Sequence, residues 1–169
     1  TLPAMVIDAL RGQLQRVQAL SRDIEDIECK LALWKKEDAA AKRLMAIPGV
    51  GLLTATAAVA TIGDAKVFKN GRQFAAFLGL VPRQAGTGGK VRLFGISKRG
   101  DTYLRKLLIH GARSVITHQK ARAPWLEQLL ARRPFNAAVV ALANKMARTI
   151  WALLAHDRTY QNGVTAQAA

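Results

Sequence analysis

The stretch IPGVGLLTATAAVATIG, residues 47–63, divides the chain into two parts of different chemistry. Pro48 disfavours helix in the residue before it and has no amide to donate, so a helix arriving from the N-terminal side stops there. Gly49 and Gly51 flank a single apolar residue and let the backbone turn tightly, after which residues 52–63 have the composition of an apolar helix. A helix that starts directly after such a hairpin offers its free first-turn amides and the positive end of its dipole. Gly49, Val50 and Gly51 could thus hold a phosphate without any side chain. The uncharged run 44–63 is broken by Pro48, Gly49 and Gly51, and the remainder falls short of the roughly 20 residues a membrane crossing needs.

Upstream of the hairpin, apolar residues fall at Ile7, Leu10, Leu14, Val17, Leu20, Ile24, Ile27, Leu31 and Trp34. These steps of three and four predict one long helix with a narrow stripe, a coiled-coil seam with one stammer near Leu20. A helix packed along its own domain would show the same spacing. The first reading makes residues 1–46 a dimerisation arm, with the helix expected to run on to Pro48.

Charge separates the two parts as well. The chain of 169 residues carries 26 Lys and Arg against 11 Asp and Glu, a net charge of +15. Residues 1–46 hold 8 basic and 7 acidic side chains, whereas residues 47–169 hold 18 and 4, a net of +14. An excess of this size points to a polyanionic partner, nucleic acid first and an anionic membrane surface second. Cys29 is the only cysteine, which rules out an intrachain disulfide and a cysteine-based zinc site. His110, His118 and His156 lack metal-ligand spacing, so no metal site is expected in this chain. The sequence begins at Thr1 with no initiator Met and no secretory signal, and reads as a piece of something longer.

Downstream, Asn70 is placed to cap a short helix with Phe74, Phe77 and Leu78 turned to the core. The segment RQAGTGGKVRLFG predicts a glycine-rich loop or short hairpin carrying Arg83, Lys90 and Arg92; Gly89-Lys90-Val91 fails the ATPase phosphate-loop pattern at its third position. Asp101 is a good N-cap for a helix with Tyr103, Leu104, Leu107, Leu108 and Val115 as core candidates. Pro124 suits the first turn of the next helix, and residues 134–157 form a long apolar helix expected to cross the domain centre. Residues 156–169 read as a flexible tail. The expectation is therefore an all-α, compact helical domain, residues 47–155, with a helix-hairpin-helix-like element, preceded by a long coiled-coil helix.

GISKRGD, residues 95–101, leaves two readings open. Ser97 could cap or turn the chain, because serine hydroxyls bond nearby amides. It could also attack a phosphodiester, since Arg83, Lys90, Arg92, Lys98, Arg99, Arg105 and Lys106 surround it in sequence with Asp101 as the single acid. Such a nucleophile needs cations to offset charge on the nonbridging oxygens and a base to take its proton. Lys98, Arg99 and Arg105 could supply the first; no good base is visible.

Taken in order, IPGVG and its Ala- and Thr-rich helix, FAAFLGLVPRQ, the Gly-Gly-Lys loop, GISKRGD, YLRKLLIHGAR and NKMARTIWALL resemble the C-terminal domain of insertion-sequence transposases of the IS-one-ten and IS-eleven-eleven group, relatives of the Piv DNA invertase. The resemblance covers about residues 44–155. It implies a DNA recombinase in which Ser97 forms a 5′-phosphoserine link with DNA. The acids and a divalent metal, Mg foremost, would belong to an RuvC-like domain outside this chain, leaving no cofactor here and the fragment inactive alone. It further implies double-stranded DNA and a structured bridge RNA as partners and a prokaryotic, cytoplasmic, nucleoid-associated setting without a membrane, while the N-terminal helix implies a homodimer, with dimer or tetramer left open for the active complex. A noncatalytic DNA- or RNA-binding architectural module remains the alternative.

Overall fold

The computed structural model describes residues 3–87, 90–119 and 122–161, without the side chain of Thr87. Gly88, Gly89 and most of the expected tail, from residue 162 on, lie outside the described residues. The chain divides into two compact units, residues 1–38 and 39–169.

The first unit is one helix, α1 (Ala4–Glu37), about 50 Å long at 1.5 Å per residue. None of its residues is buried. The stripe from Ile7 to Ile27 is formed as the spacing predicts, and its members are 37–59 % exposed. The helix does not run on to Pro48, however. Asp38 is extended (φ −91°, ψ 107°), and a separate α2 (Ala39–Leu44) follows. The cause lies in packing: Ala41 and Leu44 are fully buried in the core of the second unit, so the boundary falls at 38 rather than at 46.

In the second unit the Val50 amide donates to the Ile47 carbonyl at 3.0 Å, and Gly49 has φ +83°. Proline second and a positive-φ glycine third make this a type II turn. It leads through Gly51 into α3 (Leu52–Ile62). A single 3₁₀ turn at Ala65–Val67, started by Asp64, precedes α4 (Gly71–Phe77). Asn70 caps α4 by accepting from the Gln73 amide at 3.0 Å, as expected. Then come β1 (Pro82–Thr87), β2 (Lys90–Ile96), α5 (Thr102–His118), α6 (Pro124–Arg132) and α7 (Phe135–Ala155).

Helix α7 is the axis of the unit. Ala138, Val139, Leu142, Ala143, Met146, Ala147, Ile150 and Leu153 are buried at helical spacing. They share one core with Leu104, Leu108, Ala112 and Ile116 of α5, Phe74 of α4 and Leu78 just after it, and the α2 residues Ala41 and Leu44. Each fully buried Leu or Phe contributes about 1.5–3 kcal/mol, so this cluster dominates the fold's stability. By length and composition α7 could cross a membrane, but its buried face is the centre of this domain.

Two expected core residues point outward. Tyr103 is 59 % exposed, because the buried stripe of α5 runs through Leu104, Leu108 and Ala112 and position 103 lies about 100° away from it. Phe77 is 43 % exposed and leans on Phe68, centroids 5.3 Å apart, while Phe74 takes the core position.

The all-α expectation holds in the main: the fold is mostly helical, and the segment expected as a glycine-rich loop or short hairpin forms a small two-stranded sheet among the described residues. β1 and β2 pair antiparallel, Gln84 opposite Leu93 and Thr87 opposite Lys90. Pro82 lies opposite Ile96, so β2 spends one extra residue between these pairs, a bulge at Phe94 and Gly95.

Candidate functional site: the Ser97 loop and its basic surround

The loop 97–100 is fixed by the segment that follows α4. The Ser97 amide donates to the Val81 carbonyl at 2.9 Å and the Lys98 amide to the Gly79 carbonyl at 3.1 Å. Backbones touch here: a Cβ on Gly79 would fall 2.1 Å from the Arg99 oxygen, and one on Gly100 would fall 1.7 Å from the Phe77 oxygen. Gly79 and Gly100 have φ of +70° and +79°, so glycine is required at both on two counts. Lys98 also adopts a left-handed conformation, φ +56°, which is costly for a side-chain-bearing residue.

The cap of α5 is Asp101, whose Oδ1 accepts from the Leu104 amide at 2.7 Å. Ser97 is half-buried, and among the described residues its hydroxyl makes no hydrogen bond. The serine is held by its backbone with its side chain unspent.

Lys98 and Arg99 flank it and are exposed. Arg105 differs. It is 7 % exposed, and its guanidinium donates to the Leu78 carbonyl at 2.9 Å, the Arg99 carbonyl at 3.0 Å and the Thr102 hydroxyl at 3.0 Å. A phosphate contact would need a solvent-facing donor, whereas these hydrogen bonds turn Arg105 inward as a brace. Charge and spacing could not distinguish the two uses.

The hairpin of β1 and β2 is exposed along most of its length and carries three cations. Lys90 and Arg92 alternate with Val91 and Leu93 along β2, and Arg83 lies 5.3 Å over the Phe94 ring. In the 47–51 turn the three expected phosphate contacts separate. Val50 is buried with its amide engaged, and Gly49 is packed on α5, where a Cβ would come 2.7 Å from the Gly111 oxygen. Gly51 alone is exposed, at the start of α3, which no side chain caps.

Carboxylates scarcely offset the positive charge. Among the described residues of the second unit, Arg43 with Asp157 is the only ion pair. No group of three or more His, Cys, Asp or Glu among the described residues could hold a metal.

Sequence reasoning missed Asn144. On α7 its Nδ2 donates to the Leu80 carbonyl at 3.0 Å, between the Gly79 and Val81 carbonyls that hold the Ser97 loop. The available signal was a polar residue inside an apolar helical run.

The second unit is a basic, mostly helical domain in which Ser97 is followed by two exposed cations. Residues 41–126 match the Transposase IS116/IS110/IS902 family, and the chain belongs to that family. It is 50 % identical over 166 residues to a Pseudomonas aeruginosa protein named "Probable family 20 transposase", covering 96 % of this chain and 49 % of that protein. It is 48 % identical over 152 residues to the transposase for insertion sequence element IS1111A of Coxiella burnetii, covering 86 % of this chain and 42 % of the relative. With the IS1328 transposase of Yersinia enterocolitica it shares 42 % identity over 154 residues, 89 % of this chain and 46 % of the relative. The chain thus spans about half the length of the curated relatives it matches.

Proposed function

We propose that this chain is the DNA-gripping, nucleophile-bearing part of an insertion-sequence transposase acting on DNA in a prokaryotic cytoplasm. The observation that carries the reading is Ser97: its backbone is clamped, its hydroxyl is unspent, and Lys98 and Arg99 flank it while Asp101 does the capping. Ser97 Oγ attacks a DNA phosphorus, forming a Ser–O–P bond as the P–O3′ bond breaks; the product is a 5′-phosphoserine and a free 3′-hydroxyl. Lys98 and Arg99 offset charge on the nonbridging oxygens, and such pre-set cations are usually the largest catalytic term. The serine proton goes to a base outside this chain, among the acids of an RuvC-like domain, and an acid there returns a proton to the departing O3′. Any divalent metal would belong with those acids.

Arg83, Lys90 and Arg92 close over the DNA backbone from the hairpin, and Gly51 with the first turn of α3 meets another phosphate in helix-hairpin-helix fashion. A structured guide RNA is a further partner of the same basic surface. The open stripe of α1 pairs with that of a second copy, so Leu14→Glu in the full-length protein is expected to convert a dimer to a monomer in sedimentation analysis.

The deciding experiment is adduct trapping with the full-length protein. Ser97→Ala is expected to keep DNA binding and lose the covalent DNA adduct; survival of the adduct eliminates Ser97 as nucleophile. The absence of a visible base within the described residues favours a second reading, a noncatalytic DNA- or RNA-binding module. That reading gains if the wild-type full-length protein binds DNA but yields no adduct.

A further inference from the structure

Four consecutive carbonyls, those of residues 78–81, each accept a hydrogen bond from a different source. Leu78 takes Arg105 Nη1 at 2.9 Å and Leu80 takes Asn144 Nδ2 at 3.0 Å. Between and beyond them, Gly79 takes the Lys98 amide at 3.1 Å and Val81 takes the Ser97 amide at 2.9 Å. Two side chains from the core helices α5 and α7 therefore hold the same short segment that the serine loop hangs from.

We propose that Asn144 and Arg105 are positioning residues for Ser97, acting through residues 78–81; this rests on the reading of Ser97 as nucleophile. Stability alone is a poor reason for the arrangement. A buried guanidinium bonded to carbonyls and a hydroxyl, with no carboxylate among its hydrogen-bond partners in the described residues, carries a desolvation cost that an apolar residue would avoid. The loop also holds Lys98 in a strained conformation, which persists only where surrounding contacts over-determine it. What the two side chains accomplish is geometric: they fix the carbonyls of Leu78 and Leu80, which fixes those of Gly79 and Val81, and thereby the Ser97 backbone. Arg105 adds a second hold from the far side of the loop through the Arg99 carbonyl.

The test uses the full-length protein with Asn144→Ala, Arg105→Lys and Arg105→Met. Asn144→Ala is the mild variant at a half-buried position, should the arginine variants fold poorly. Three quantities are measured: hydrogen exchange in peptides containing Ser97 and Lys98, the single-turnover rate of adduct formation at saturating DNA, and the Kd for DNA. Exchange at the loop is expected to rise at least about tenfold while the α7 core stays protected. The adduct rate should fall about ten- to a hundredfold, as a misplacement near 1 Å costs on the order of a hundredfold. Kd should change less than about twofold, and Arg105→Lys should recover part of the rate lost in Arg105→Met.

Unchanged loop exchange, or an unchanged adduct rate at saturation, overturns the proposal. So does an Arg105→Lys variant whose affinity falls while its saturated rate holds, which would make Arg105 a phosphate ligand. If Ser97→Ala still forms the adduct, the nucleophile reading fails separately. Loop exchange then decides alone whether Asn144 and Arg105 position the segment.

Discussion

Gly49 and Gly111 meet backbone to backbone across 62 residues of sequence: a Cβ on Gly111 would fall 2.1 Å from the Gly49 oxygen, and one on Gly49 2.7 Å from the Gly111 oxygen. The contact seats the 47–51 turn directly on α5, with Ile47 and Val50 buried beside it. Gly111→Ala is therefore expected to destabilise the domain by about 1–3 kcal/mol or more through overpacking. Gly51→Ala, where nothing lies within 4 Å of the added Cβ, should cost less than about 1 kcal/mol. Denaturant unfolding of both variants checks the contrast.

The division of labour between Ser97 and Asp101 makes a second pair of expectations. Asp101→Ala removes the α5 cap and should cost about 0.5–2 kcal/mol in thermal unfolding. Ser97→Ala removes no hydrogen bond of the described residues and should stay within about 0.5 kcal/mol. The reverse order would return Ser97 to a capping role.

Lys98 combines a strained backbone with an exposed charge, and glycine separates the two. Lys98→Gly relieves the left-handed conformation but frees the unfolded chain, so its stability should lie within about 1 kcal/mol of wild type. Its DNA affinity should nonetheless fall, and the slope of log K against log salt should shrink by about 0.9 if one phosphate contact is lost. Fluorescence anisotropy titrations at several salt concentrations measure both.

Lys145 supplies a pH dependence. Its Nζ lies 4.3 Å over the Trp125 ring, and burial first, then the like charge of Arg148, lowers its pKa below 10.5. A base whose folded pKa is depressed binds fewer protons folded than unfolded, so stability rises with pH between that lowered value and 10.5 and is flat below it. The melting temperature of wild type relative to Lys145→Met should accordingly climb as pH approaches 10.5. Tyr160, whose burial raises its pKa above 10.0, titrates in both proteins and drops out of the comparison.

Local signals in the sequence translated well. Asn70 and Asp101 cap the helices they precede, Pro124 begins α6, and the apolar period of α7 marks the central helix. Each of these depends on neighbours within a turn or two. The features that escaped depend on partners far away in sequence. The break at Asp38 follows from Ala41 and Leu44 being drawn into a core assembled mostly from later residues. The inward turn of Arg105 needs the carbonyl of Leu78, and the use of Gly49 needs Gly111. A cluster of cations likewise reads as a surface, because charge counts carry no direction. One of its members is interior, and its sequence neighbours Lys98 and Arg99 are not.

The four accepting carbonyls of residues 78–81 are main-chain groups, and that decides which genetic changes the serine loop can absorb. Any side chain of suitable size and polarity at position 80 or 81 presents the same oxygen, so substitution there leaves the loop anchored. Inserting or deleting one residue instead offers Ser97, Lys98, Arg105 and Asn144 the wrong oxygens all at once. Gly79 apart, the segment behaves as a ruler, tolerant of spelling and intolerant of length.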